Sequence, residues 1–443
     1  MKHSPIPSGL LILLLVMLVT PPSAQTGELS LQQALESAVE NSHQLRRAQA
    51  EREASLSSLR AARAARLPTL SAEVASFYID NVPTLDISLP TGQTFSRPVG
   101  VHENYQMDWR LMMPLYTGGR IRGNIDAATS TATMKDALEQ DYLNQLLYQT
   151  RLEYFSLCRA ERLREAADAA LRRATVTSED VASAFAAGTA DSVDLLEADL
   201  ALAGANLRIR ETVTLRRSAE IRLCLLLDLP ITDSLQVTLT LPPPDSIRLQ
   251  QALHEIPATN PRLQAAEAAL GINRARVRLT HSAYMPTLTA FGGYSNGKPN
   301  LDRFHNDFND YFTVGARIDW SFNLGRQQHH NMLSARQQHT AAQQQRHDVA
   351  RSIDRQIRLA SENLKLAYHT YQTARYSHQV ARDNYRLAAF KHRQGVLSAN
   401  RLLQSEASLS EAEAFLATAL VDYYVARSGF YLAAGSPKLK EGL

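Results

Sequence analysis

The chain has little of what marks disulfide scaffolds, helical membrane proteins or nucleic-acid binders. It has two cysteines in 443 residues, too few for a fold held together by disulfides. Lys and Arg number 47 against 44 Asp and Glu, and this net charge of +3 is too small to indicate a nucleic acid partner. Beyond the short apolar run from Leu10 to Val19, no stretch of about 20 apolar residues predicts a membrane-spanning helix.

Recognisable catalytic and metal-binding patterns are also missing. The sequence has no Gly-x-Ser-x-Gly and no phosphate loop, and no carboxylate pair stands outside regular helical charge patterning. We therefore predict a protein that is not an enzyme and needs no cofactor. Four histidines lie in a Gln-rich segment without metal-ligand spacing, which indicates a hydrated surface rather than a metal site. These are His329, His330, His339 and His347.

The first residues have the three parts of a secretory signal. Lys2 and His3 form a basic start, the apolar run follows, and small residues precede a predicted cleavage between Ala24 and Gln25. Residues 1–24 are thus predicted to be a signal peptide. No cysteine follows the small residues, so an N-terminal lipid anchor is not predicted.

The sequence contains an internal repeat. Leu31–Leu35 recurs as Leu249–Leu253, an offset of 218, and Leu67–Leu70 matches Met285–Leu288 at the same offset. Further along the offset is 207, where Gly188 matches Gly395. We expect a first repeat at residues 25–230, a Pro-rich linker at 231–246, a second repeat at 247–434 and a tail at 435–443.

Each repeat is predicted to run helix, strand, strand, long helix, turn, helix. The first helix is expected from Leu29 to about Ala65, before Pro68. Residues 120–187 and 325–393 contain no proline, and each would form a helix about 100 Å long at 1.5 Å per residue. Heptad spacing predicts coiled-coil packing of these helices. The seam residues include Ile353, Ile357, Ala360, Leu364, Ala367, Tyr371 and Ala374, then Leu402, Leu409, Leu416, Tyr423 and Phe430. In the first repeat only Arg216 interrupts the series Leu195, Leu202, Ile209, Arg216, Leu223.

Two cysteines occupy matched heights on the first helical hairpin. Cys158 and Cys224 lie equally far from residue 191, where the chain is expected to turn. Two interpretations follow: a disulfide between the helices, or two small buried residues.

Two segments alternate between large apolar residues and polar ones, which is the pattern of strands with two different faces. In an exported protein the apolar face fits lipid and the polar face water. A soluble sheet with one solvated face remains the alternative. The predicted lipid-facing residues are Tyr105, Met107, Trp109, Leu111, Phe312, Val314, Ile318 and Trp320. The segments Asp80–Asn104 and Ser295–Asp310 are expected to be outside loops.

These motifs together resemble the TolC family of outer-membrane efflux proteins. The resemblance rests on the two Leu-x-x-Ala-Leu helix starts, the two Pro-Thr-Leu strand starts, the segment Pro114–Arg120, and the segments after Gly188 and Gly395. It covers nearly the whole mature chain. It implies an α+β membrane protein of coiled-coil hairpins in two internal repeats, with four β-strands contributed to a shared trimeric transmembrane β-barrel. The corner after Trp320 is shorter than the family pattern of the first repeat.

The resemblance also implies a homotrimer in outer-membrane lipid, with a large periplasmic part that docks on a periplasmic adaptor protein and, through it, on an inner-membrane transporter. The hairpin tips, Gly188-Thr189 and Gly395-Val396, would contact the adaptor. Gate positions fall on Asp194 and Glu197 in the first repeat and on Arg401 and Gln404 in the second. Family members with an acidic constriction carry it on the second hairpin, which here has Arg401 and Gln404. We therefore hypothesise a charge contact of Asp194 or Glu197 with Arg401 that keeps the tips closed.

The predicted function is passive conduction of solutes from the adaptor to the exterior. A duct for one-step protein secretion or for metal cation efflux is the alternative within this class. A soluble periplasmic coiled-coil scaffold without a pore is the alternative from another class.

Overall fold

A computed structural model describes residues 28–231, 235–238, 240–246, 250, 260–302 and 305–442. The predicted signal peptide and most of Leu249–Leu253 lie outside the described residues.

The first repeat contains four helices and four strands among its described residues. They are α1 Leu31–Asn41, α2 His43–Ala64, β1 Thr69–Tyr78, β2 Thr84–Ser88, β3 Thr94–Pro98, β4 Glu103–Tyr116, α3 Arg120–Ala186 and α4 Ser192–Leu227. The described part of the second repeat contains α5 Pro261–Ser282, β5 Thr287–Lys298, β6 Asn309–Asp319, α6 Gln327–Arg393 and α7 Ala399–Ala434. A short 3₁₀ helix, Pro437–Lys440, follows.

Three pairs of helices, one member in each half of the chain, have equal lengths. Helices α2 and α5 both have 22 residues, α3 and α6 both have 67, and α4 and α7 both have 36. Both long helices begin after a residue in the left-handed region, Gly119 at φ 92° and Arg326 at φ 57°. The repeats differ mainly between the strands, where the first repeat has the longer connection.

Two expectations about the first repeat were wrong in detail. The single helix predicted over residues 29–65 is two helices, because Ser42 has extended backbone and its hydroxyl accepts a hydrogen bond from the Leu45 N–H at 3.2 Å. The polar stretch expected to be a loop, residues 80–104, contains the antiparallel β2–β3 hairpin.

Four strands form one antiparallel sheet in the order β1-β4-β5-β6. Trp109 lies opposite Ala72 on one side and Tyr294 on the other, and Tyr294 lies opposite Phe312. Residues directly opposite each other share a face of a sheet, so the alternating residues of the strands align into two continuous faces. Within one chain the sheet is open, with β1 and β6 at its edges.

The helices pack through the predicted heptad seams. Leu364 and Ala374 of α6 are fully buried, and Leu409 and Phe430 of α7 are nearly so. The largest cluster of buried apolar residues lies where α1, α3, α4, α6 and α7 meet. Among the described residues, no helix is both long enough and apolar enough to cross a bilayer.

The charged residue that interrupts the α4 seam belongs to a buried ionic network. Arg216 pairs with Glu161 of α3 and with Glu220 one turn further along α4, at 3.4 Å. Its guanidinium also donates to the Leu235 carbonyl at 3.1 Å, and Glu220 accepts from the Leu235 N–H at 2.5 Å. The network therefore ties Leu235, which lies between the two repeats, to the first hairpin.

Candidate functional site

The predicted hairpin turns lie where the sequence places them. Gly188 and Gly395 both have φ near +70°, which side chains other than glycine rarely adopt. After each glycine the next N–H reaches back to the helix that ends there: Thr189 donates to Ala184 at 2.9 Å, and Val396 donates to Lys391 at 3.0 Å. The N–H of each glycine also donates to the carbonyl three residues earlier, at 2.9 Å in both turns, so the two tips have the same backbone design.

Three of the predicted gate residues, Glu197, Arg401 and Gln404, are connected by hydrogen bonds, but not by an ion pair. Arg401 donates to Gln404 at 3.1 Å, and Gln404 donates to the Asn400 side-chain oxygen at 2.9 Å. The Asn400 amide then donates to Glu197 of the first hairpin at 2.7 Å. Over the ranges that the structure describes, no ion pair joins Asp194 or Glu197 to Arg401. Within one chain the hypothesised direct contact is therefore replaced by a path through Asn400, a residue that the sequence argument missed.

A small apolar contact lies beside this path and brings the two hairpins together. Val181 of α3, Ala198 of α4 and Ala399 of α7 are buried against one another, with Leu195 and Leu403 partly buried at the edge. Small residues allow the helices to approach closely. The tip contact between the hairpins of one chain is thus apolar, with the Glu197–Asn400 hydrogen bond added to it.

Further from the tips, polar side chains tie α3 to α7. Arg173 holds Glu413 with two hydrogen bonds, at 2.8 and 3.2 Å, and donates to the Ser410 hydroxyl at 3.0 Å. Nearer the tips, Thr177 donates to the buried Glu406 carboxylate at 3.2 Å. Burial raises the pKa of Glu406 above its ordinary value, and the Thr177 hydrogen bond opposes that shift. These contacts fasten the two hairpins of one chain to each other.

The apolar face of the sheet is exposed. Val314 is 89% exposed and Phe312 76%, and the neighbouring strands continue the same face. Its further members include Leu70, Val74, Tyr105, Met107, Trp109, Leu111 and Ile318. An apolar surface this continuous is unusual on a protein that faces water alone.

Trp320 does not lie in a strand, contrary to expectation. Strand β6 ends at Asp319, and the Trp320 indole N–H donates to the Tyr284 carbonyl at 3.1 Å. The corner toward α6 is built by Asn323, whose side chain accepts from the Gly325 N–H at 2.9 Å. The exposed Trp320 packs on Phe322 with ring centres 4.7 Å apart. Aromatic residues therefore mark the end of the sheet that faces the helices.

The opposite face of the sheet carries most of its polar and charged residues. It borders a cavity of about 410 Å³ lined by residues that include Gln106, Asp108, Arg110, Thr313 and Arg317. Asp108 is buried and accepts a hydrogen bond from Gln106 at 2.7 Å. Polar and charged groups line this side because their alternating neighbours occupy the apolar face.

Both cysteines are buried inside the first hairpin. Cys158 and Cys224 are buried as free thiols, which agrees with the second of the two interpretations. Burial raises the pKa of Cys158 to about 12, and the pKa of Cys224 is raised for the same reason. The described residues contain no group of three or more His, Cys, Asp or Glu side chains that could hold a metal ion.

Duplicated helical hairpins joined to an open sheet with one apolar and one polar face define a class: a membrane-inserted duct with a long helical stem. The sequence profile described as Outer membrane efflux protein matches residues 34–228 and 252–436, one segment in each repeat. The chain belongs to the outer membrane efflux protein family. Members of this family are outer-membrane channels, which are not enzymes.

Solved structures show the same fold. VceC from Vibrio cholerae superimposes with a TM-score of 0.75 at 16% identity, covering 92% of this chain and 96% of that one. The CmeC outer-membrane channel of Campylobacter jejuni gives 0.73 at 17% identity, over 91% and 85% of the two chains. The open state of the MtrE outer-membrane channel of Neisseria gonorrhoeae gives 0.73 at 19% identity, over 92% and 89%. No curated protein sequence matches the chain.

The protein is therefore an outer-membrane efflux channel with a large helical part on the periplasmic side. The strands supply the membrane part, and the hairpins supply the stem.

Proposed function

We propose that three copies of this chain form one channel that passively conducts solutes from a periplasmic adaptor protein to the exterior. The open sheet carries this proposal, because four strands cannot close a barrel and free edges in lipid would leave backbone groups without partners. In a ring of protomers, β6 of one copy can pair with β1 of the next. The exposed apolar face then meets lipid, and the polar face lines the water-filled interior.

The gate is proposed at the hairpin tips. The Glu197–Asn400 hydrogen bond and the apolar contact of Val181, Ala198 and Ala399 hold the second hairpin against the first. Docking of the adaptor on the turns at Gly188-Thr189 and Gly395-Val396 would exchange these contacts for contacts to the partner. The inner-membrane transporter would supply the energy through the adaptor.

Planar-bilayer recording of detergent-extracted protein tests the proposal. Detergent-dependent trimers with discrete conductance steps are expected. Water-soluble monomers without conductance would instead favour the periplasmic scaffold.

The gate is tested separately with Asn400→Ala, which removes the link to Glu197. We expect the open probability of the resting channel to rise. Ser408→Ala, an exposed site two turns further along the same helix, serves as the control. If Asn400→Ala conducts like the unchanged protein, the gate does not depend on this link, while the channel proposal stands.

A further inference from the structure

Two apolar stripes on the helical stem are exposed among the described residues. On α4, Val193, Leu200 and Leu207 recur every seven residues and are 56%, 74% and 58% exposed. On α6, exposed apolar residues recur in the same way. They are Leu359, Leu366, Val380 and Leu387. Apolar residues that repeat every seven positions form a coiled-coil seam, so each helix carries a second seam in addition to the one it buries within the chain.

The two stripes match each other step by step. Each is interrupted once by threonine, at Thr214 on α4 and at Thr373 on α6, and both threonines are exposed. With the helices antiparallel and Leu387 opposite Leu200, seven-residue steps bring Val380 opposite Leu207 and Thr373 opposite Thr214. A shift of one heptad would place each threonine against an apolar residue.

The helix ends favour the same alignment. Leu200 lies eight residues after Ser192, where α4 begins, and Leu387 lies six residues before Arg393, where α6 ends. With Leu200 opposite Leu387, the start of α4 and the end of α6 then lie within about 3 Å of each other along the helix axis, at 1.5 Å per residue. A heptad shift would move one tip about 10 Å further along the axis.

Charge is sorted between the two hairpin tips. Residues 174–207 contain six acidic residues and no Lys or Arg. Residues 375–405 contain six Lys or Arg and a single acidic residue, Asp383. Next to the seam leucines, Asp199 precedes Leu200 and Arg386 precedes Leu387, and both charged side chains are exposed. A contact between α4 and α6 therefore joins opposite charges, whereas a contact between two copies of α4 would join acidic surfaces.

We propose that α4 of one protomer packs antiparallel on α6 of a second copy of this chain, with Leu200 opposite Leu387 and Asp199 near Arg386. Within the chain α4 packs mainly on α3, with smaller contacts to α1 and α7, while α6 packs on α5 and α7. The residues of both stripes stay exposed beside these contacts and can meet a neighbour. The contact joins two different surfaces, and such contacts repeat around a closed ring. This inference rests on the proposed trimer and adds the surface and register by which the stems associate.

Cysteine pairs test the register. In a background with Cys158→Ala and Cys224→Ala, the pair Leu200→Cys and Leu387→Cys is expected to form disulfide-linked dimers and trimers on oxidation, seen by non-reducing electrophoresis. The matched control combines Leu200→Cys with Val380→Cys, one heptad away, and should stay monomeric in denaturant. A disulfide within one chain would leave the mass unchanged, so it is distinguished from the proposed contact.

Measuring the size of the parent protein in detergent distinguishes a wrong register from a wrong trimer. Intact trimers with no linkage, or with linkage only in the Val380→Cys pair, would overturn the register and leave the channel proposal standing. A parent protein that stays monomeric in detergent would overturn both.

Charge exchange tests the electrostatic part. Asp199→Arg should lower the temperature at which the trimers dissociate, and adding Arg386→Asp should restore it. Equal losses in the single and the double variant would contradict the pairing of these two side chains.

Discussion

Arg216 offers the sharpest test of how the first hairpin is held together. The substitution Arg216→Leu restores the apolar heptad of α4, and a reading of the sequence alone would expect it to stabilise the stem. The structure leads to the opposite expectation. The side chain of Glu220 is 1% exposed and that of Glu161 12%, and both are held by the Arg216 guanidinium.

The size of the effect follows from these contacts. Removing one partner from a buried ion pair costs about 3–5 kcal/mol because it leaves an uncompensated charge. Glu220 keeps Arg217 at 3.1 Å and the Leu235 N–H, so the loss should fall near the lower value, about 3 kcal/mol. The Leu235 carbonyl also loses its donor, which should loosen the segment between the repeats.

Urea unfolding of the detergent-solubilised protein, followed by helical circular dichroism, measures the change. Arg222→Leu is the matched control on the same helix, because Arg222 is half exposed and pairs with Glu153 at 2.9 Å. The Arg222 guanidinium is partly solvated, and Glu153 keeps the Gln149 amide at 3.0 Å when Arg222 is removed. The control should therefore shift the midpoint less than Arg216→Leu. If Arg216→Leu proves as stable as the unchanged protein or more so, the network does not hold the hairpin and the reasoning is refuted.

Three further predictions concern the stem. Gly395→Ala should destabilise the protein by about 1–2 kcal/mol, because its φ of +70° strains a residue with a Cβ. Gly204→Ala within α4 should not destabilise the protein. Thermal unfolding compares the two variants, and equal shifts in melting temperature would contradict the strain argument. Cys158 should resist alkylation at pH 8 in the folded protein, because burial raises its pKa to about 12. Mass spectrometry should find both cysteines modified only after unfolding. Rapid labelling of the native protein would refute this. Glu406→Gln should stabilise the protein at neutral and alkaline pH and lose that advantage at acid pH. The folded pKa of Glu406 is raised by burial, so its charged form opposes folding as the pH rises through that value. Melting curves that differ between variant and parent by the same amount at pH 4 and pH 8 would contradict it.

The sequence predicts the helical stem well because the signals there are repeated many times. Seven-residue spacing recurs over α6 and α7, and the turn glycines stand at the same place in both repeats. Glycine at positive φ is a backbone requirement, so Gly188 and Gly395 identify their turns without any tertiary contact. The alternation in the strands predicts the two faces of the sheet, because it too is a local signal that repeats along the chain.

What sequence reasoning missed depends on contacts between distant segments. Ser42 breaks the first helix by capping the second, although serine is common inside helices. Asn400 becomes the link between the hairpins only because packing brings α4 and α7 together there. Arg216 interrupts an apolar seam, and its reason lies in Glu161, which is 55 residues away in the chain. The end of β6 before Trp320 is likewise set by the indole hydrogen bond to Tyr284.

The equal lengths of the paired helices have a consequence for stoichiometry. In a ring of three chains, six helical hairpins of the same length would end at one level. The backbone shape of this ring of tips would therefore repeat six times around the axis. Its charge repeats only three times, because acidic and basic tips alternate. A partner that recognises backbone shape would find six equivalent binding sites. A partner that recognises charge would find two kinds of binding site, three of each. The number of adaptor copies bound per channel would therefore reveal whether the adaptor recognises the shape or the charge of the tips.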